Sequence, residues 1–304
     1  MSQLLVAGWS AASLLYDDAP GNGLPSFYDR LLMSESATSG DYASHSALTD
    51  PGTHAALIAE LPLDVPVLCR TLQGLLVHEA WIERQGLDPV AFSGQSRVTL
   101  PVHERLDQLL AIDPRPLTIA RPGASRALAT CRDFALVLCA VLRQNGVPAR
   151  VRCGFATYFT VHTYHDHWVC EYWVRDERRW CLVDAELDEL HRDLLKFGFE
   201  PTDVPRTEFI TGVAAWQRCR SGAIDPAQLG HGATTGLFFA RVNLARDLLA
   251  LAKHETSSWD HWRAAREPYL TLDNAALLLC DGLAQRGEAG AVEIAPSLSV
   301  PPWQ

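Results

Sequence analysis

The chain has 304 residues, with 26 Lys and Arg against 36 Asp and Glu, a net charge of −10, and 48% hydrophobic residues. That is enough apolar material for one large domain or two small ones. The cations are scattered with no basic run, which excludes the usual signature of a nucleic-acid or anionic-membrane partner.

The opening stretch "MSQLLVAGWSAASLLYDDAPG" places no Lys or Arg ahead of its apolar part and is too short and polar for a membrane span. The expectation is a cytoplasmic protein. Residues 1–50 are rich in Ser, Gly, Asp and Ala and predict turns and short helices. From Thr53 the apolar spacing becomes helical, in "THAALIAEL" and then "VPVLCRTLQGLLVHEAWIERQGL". "VHERLDQLLAI" predicts another short helix, and "DPRPLTIARPGASRALAT" a Pro- and Gly-punctuated loop.

A helix begins at Cys131 and ends at Asn145-Gly146, a pair suited to a C-terminal cap, with Pro148 beyond. "ARVRCGFATYF", "DHWVCEYWV" and "RRWCLVDAEL" are rich in aromatic and β-branched residues and predict three strands, with "RDERR" turning the last two. Past residue 190 the pattern is helical again, in "LFFARVNLARDLLALAKHE", "WDHWRAAREPYL" and "LDNAALLLCDGLAQ". The fold class is α+β, a helix packed on an antiparallel sheet with helical segments on either side.

Eight cysteines stand at 69, 131, 139, 153, 170, 181, 219 and 280, with no C-x-x-C pair. Reduced thiols are expected, most of them inert core residues. Cys131 differs in context. At a helix start, unpaired N–H groups and the helix dipole favour an anion, which lowers a thiol's pKa. Asp133 complements the same positive helix end. A cysteine nucleophile needs a base and a group to orient it. His165 and His167 lie at or just before one strand, and Asp184 on the next. A four-residue loop from Arg175 to Arg178 pairs Val174 with Arg179 and sets Asp184 opposite Val169, so that His167 is its diagonal neighbour on one face. An odd loop would send Asp184 to the other face.

The pieces "CRDFALVLCAVLRQNGVPARVRCGF", "DHWVCEYW" and "RRWCLVD", in this order and spacing, resemble the transglutaminase-like superfamily over roughly residues 120–188. The resemblance implies a papain-like core with Cys131, His167 and Asp184 as catalytic triad, and an acidic residue at Glu171. It implies a catalytic core over 120–190, and the apolar spacing on either side reads 1–119 and 191–304 as mostly helical segments. The chain departs from the family where Trp168 directly follows His167, where Ala185 follows Asp184, and where Thr130 precedes the cysteine.

The chemistry implied is attack of a Cys131 thiolate on an amide or related acyl carbonyl through a thioester. Hydrolysis is favoured, with a biosynthetic amide synthase or a non-catalytic binding protein as alternatives. The expected partner is an amide- or acyl-containing small molecule or peptide. The Cys131 N–H is one expected oxyanion donor; the second is unassigned. Arg132 is read as a thiolate-stabilising cation or, more ordinarily, a solvated residue. Glu171 and His165 are further candidates near the site, His165 as the substitute base. Trp168, with Trp81, Trp173 and Trp259 to Trp262, is a candidate wall of a cleft closed by flanking helices. No phosphate-binding or dinucleotide motif appears, so no cofactor is expected. His162, His165 and His167 have a zinc-like spacing but no obvious fourth ligand.

Overall fold

The computed structural model describes residues 42–95, 101–232, 234–255, 272–287 and 291. The expectations for residues 1–41, for Trp259 to Trp262 and for the C-terminal tail lie outside these. Short 3-10 turns aside, the described α-helices and strands in order are α1 (Ala55–Ala59), α2 (Val65–Leu75), β1 (Leu76–His78), α3 (Val102–Ile112), β2 (Ala127–Ala129) and α4 (Cys131–Gln144). There follow β3 (Ala149–Ala156), β4 (Tyr164–Val174), β5 (Arg179–Val183), α5 (Glu189–Leu195), β6 (Phe209–Thr211) and α6 (Gly212–Arg220). The last are β7 (Leu229–His231), β8 (Thr234–Thr235), α7 (Leu237–Leu251) and α8 (Asn274–Arg286).

Helix α4 is the hub. Its start is fixed by Asp133, whose carboxylate accepts the Thr130 backbone N–H at 2.8 Å and the Thr130 hydroxyl at 3.1 Å. That is a capping box with aspartate in the third helical position. Arg105 of α3 holds the same carboxylate at 2.9 Å. Gly146, at φ 71°, ends the helix, and Val147 N–H returns to the Leu142 carbonyl. Between these ends Phe134, Leu138, Val141 and Leu142 are buried with Leu68 and Leu72 of α2, Leu106 of α3, and Val151, Cys153, Trp168 and Cys170 of the sheet. Each such side chain stabilises by about 1.5–3 kcal/mol.

The main sheet runs β6-β3-β4-β7-β8, with β5 also paired to β4. β3 and β4 are antiparallel, with Gly154 opposite His167. β5 pairs with β4 from Val174↔Arg179 to Cys170↔Val183, which is the register expected of an even loop. Cys170 and Cys181 are therefore diagonal neighbours, and both are free thiols. β7 joins β4 in parallel at Tyr164 and His165. Helix α7 packs on β3, where Asn243 donates to the Gly154 carbonyl at 2.8 Å and Asp247 takes both ends of Arg152 at 2.8 and 2.9 Å.

Three sequence expectations are corrected. The long helix from Val65 stops at Leu75, because Leu76 to His78 instead pairs in parallel with Ala127 to Ala129. Near that helix end Gly74 lets another segment pass close: a Cβ there would meet the Cβ of Ala120 at 2.9 Å, and Arg121 N–H donates to the Gly74 carbonyl at 2.8 Å. The loop before Cys131 correspondingly contains β2. The segment after residue 190 is not purely helical, and contributes β6, β7 and β8.

Candidate active site

Cys131 is the first residue of α4 and is half-buried. As a first-turn residue its N–H has no partner within the helix. β4 brings His167 to it, and β5 delivers Asp184 one residue past its end. His167 Nε2 lies 2.8 Å from Asp184 Oδ2. That leaves Nδ1 for the thiol, and the two groups shift each other's pKa. Asp184 is further fixed by the Tyr158 hydroxyl at 2.6 Å and by the Glu186 N–H at 3.1 Å. Its own N–H donates to the Pro201 carbonyl at 2.8 Å. Phe159 packs edge-on against the His167 ring, 4.9 Å between centroids.

Burial raises the Cys131 pKa, but the charge and hydrogen bonding of His167, followed by His78, outweigh it and hold the thiol below its ordinary value. Burial likewise opposes charge on His167. Asp184 and Cys131 overcome it and push the imidazole well above its usual range. Asp184 is lowered, with the neighbouring imidazolium outweighing burial. Other cysteines move the opposite way through burial: Cys69 and Cys181 up to about 12, Cys219 and Cys280 to about 11, Cys153 and Cys170 well above the ordinary value.

Cys131 and His167 open onto a cleft of about 500 Å³, also lined by His78, Trp81, Phe159, His165, Glu186 and His231. Trp81 forms one wall, with Arg84 over its ring at 5.2 Å and His191 against it edge-on at 4.4 Å. The 1–119 segment thus does supply a wall, through the single-turn 3-10 helices Glu79–Trp81 and Glu83–Gln85, and strand ends and turns supply the rest. Trp168 is corrected: it is 1% exposed and points into the core under α4. Trp173 does not line the cleft either and packs on Trp180.

Two further candidates are also corrected. Arg132 is neither solvated nor cleft-lining; it is buried and donates to the Glu255 carbonyl. Glu171 is fully buried in an ion-pair cluster with Arg150 at 2.6 Å, Arg152 at 2.9 Å and Arg206. His165 does reach the cleft, and its pKa is lowered by burial and by the nearby His231 and His167.

Sequence reasoning missed His78, Tyr158 and Glu186. Among the described residues, the His, Cys, Asp and Glu group whose ligand atoms converge within 4.8 Å is His167, Asp184 and Glu186, not His162, His165 and His167. His162 stands in the β3–β4 turn at φ 62°.

No helix among the described residues is long and apolar enough to cross a membrane. No curated protein and no solved structure matches the chain. A family model does: residues 115–185, which hold Cys131, His167 and Asp184, match that of the transglutaminase-like superfamily.

Proposed function

We propose that the protein is a cysteine-dependent enzyme that cleaves or transfers an acyl group through a Cys131 thioester. The observation that carries this reading is the position of Cys131. Its thiol stands at a helix N-terminus, facing an imidazole braced by a buried carboxylate, at the floor of an open cleft. The superfamily match over the same segment supports it.

In this reading the Cys131 thiolate attacks an amide or related carbonyl, and the C–S bond forms as the carbonyl electrons move to oxygen. His167, protonated beforehand, donates to the leaving group as the scissile bond breaks. Neutral His167 then takes a proton from water, which attacks the thioester and releases the acid. Asp184 holds the ring orientation and stabilises its charged form. An amine in place of water gives an amide. Hydrolysis is the favoured outcome, since water reaches an open cleft unaided.

The test uses p-nitrophenyl acetate as a generic acyl donor. A burst of p-nitrophenolate and a single acetyl group on Cys131 by mass spectrometry are expected, with neither in Cys131→Ala. Chase with water or with a panel of amines reads the acceptor. An undiminished burst in Cys131→Ala would refute the proposal.

A further inference from the structure

Besides His167, a second imidazole lines the cleft at Cys131. His78 closes β1, whose parallel pairing sets it opposite Ala129, two residues before the cysteine. The ring is half-buried and lines the same cleft as Cys131, and the two groups shift each other's pKa. Its orientation is fixed from behind. Nδ1 accepts the backbone N–H of Ala80 at 3.1 Å, and Glu186 Oε1 lies 4.0 Å from the same nitrogen. Nε2 is therefore the nitrogen left for Cys131.

The two histidines are thus held for different tasks. His167 has a carboxylate on Nε2, which supports an acid–base role at its other nitrogen. Neutral His78, accepting from Ala80 at Nδ1, must carry its hydrogen on Nε2; as imidazolium it gives up that acceptor role, its Nδ1–H turning to the Glu186 carboxylate, and still carries a hydrogen on Nε2. In either state Nε2 presents a hydrogen and no lone pair. Burial opposes the charged form, but Glu186 and Cys131 raise the pKa to about 9, so the donor is retained across neutral pH.

We infer that His78, through Nε2–H, is the second donor to the oxyanion formed when Cys131 attacks a carbonyl, acting beside the Cys131 backbone N–H. This rests on the thioester reading above. As the C–S bond forms, the carbonyl π electrons move to oxygen, and two fixed donors from β1 and the α4 terminus receive that charge. No proton leaves His78. When the intermediate collapses, the C–O π bond re-forms and the leaving group departs. A preorganised donor of this kind is worth about 10²–10³ in rate.

The experiment separates oxyanion stabilisation from thiolate stabilisation. His78→Leu fills the site without a donor, and His78→Gln keeps an N–H. For each, two rates are measured on the high-pH plateau, where Cys131 is fully ionised: acylation by p-nitrophenyl acetate and alkylation by iodoacetamide. Alkylation passes through no oxyanion. His78→Leu should slow acylation by about 10²-fold while leaving plateau alkylation within about 3-fold, and His78→Gln should recover at least about 10-fold of the loss. If the leucine variant does not fold, His78→Met replaces it. Equal losses in both reactions, or unchanged acylation, would overturn the inference while leaving the thioester reading in place. Failure of the unaltered protein to acylate at Cys131 would overturn both.

Discussion

Asp184 accepts three hydrogen bonds, and each bears differently on the thiol two contacts away. Asp184→Asn removes the charge that keeps His167 protonated, so the imidazole pKa should fall and the thiol pKa rise toward its ordinary value. Acylation should drop about 10²-fold. Tyr158→Phe removes one donor to the carboxylate and should cost about 5-fold, the scale of one hydrogen bond. Iodoacetamide alkylation against pH checks both. The midpoint should lie below the ordinary thiol value in the unaltered protein and move upward in Asp184→Asn; an unmoved midpoint would separate Asp184 from the ionisation of Cys131. Cys131, His167 and Asp184 were singled out by the order and spacing that resemble the transglutaminase-like superfamily, while residue types alone left His165 open beside His167. The roles of Arg132, Glu171 and Trp168 were not. Each is decided by what lies across the core — Glu255, the arginine cluster, the underside of α4 — and proximity in sequence to Cys131 or His167 says nothing of that. His78 was hidden because it is brought to Cys131 by the pairing of β1 with β2, which neither short stretch shows by itself.

At the scale of elements, β3 and β6 approach so closely at Gly154 that a Cβ would meet the Ile210 carbonyl oxygen at 2.1 Å and the Thr211 Cα at 2.9 Å. Both contacts are backbone, so neither can swing aside. Gly154→Ala should push β6 off β3 and destabilise by about 2–3 kcal/mol, by analogy with overpacked cores. Gly94→Ala, where nothing lies within 4 Å, is the control and should be neutral. Urea denaturation measures both, and equal midpoints for the two variants would show that the strands can separate without cost. Acylation should also fall in Gly154→Ala, because His167 is the residue opposite. Helix α4 and strands β3, β4 and β5 could be read in advance because each is long enough to show a period or carries its own caps. β1, β2, β6, β7 and β8 have two or three residues each, fewer than any period needs, and exist only because a partner strand is there. The even β4–β5 loop is the exception that was legible from counting alone. Arg178 takes φ 51° to close it, and the register it sets brings Asp184 to His167.

Across the whole molecule, one charge cluster ties the sheet to helix α7. Glu171 of β4 takes Arg150 and Arg152 of β3 and Arg206 from the chain leading into β6, while Arg152 also clasps Asp247 of α7. Burial alone would raise the Glu171 pKa. Arg150, Arg152 and Arg206 outweigh it and hold the carboxyl far below the usual range. A folded-state pKa below the unfolded one means the unfolded chain binds the proton first. The stabilisation is therefore complete above the unfolded value near 4.5 and is lost as pH falls toward the folded one. Glu171→Gln leaves Arg150 and Arg152 buried with less counter-charge and should cost about 3 kcal/mol at pH 7. Below pH 4.5 the difference from the unaltered protein should shrink, because protonation of the unfolded chain removes the same advantage from both. Denaturant unfolding at pH 7, 5.5 and 4 checks it. Stability curves that run parallel across that range would mean that Glu171 ionises alike in the folded and unfolded chain, and that the cluster holds by packing instead of charge. A smaller loss at pH 7 with converging curves would instead place most of the guanidinium pairing on Asp247, joining β3 to α7 without help from β4.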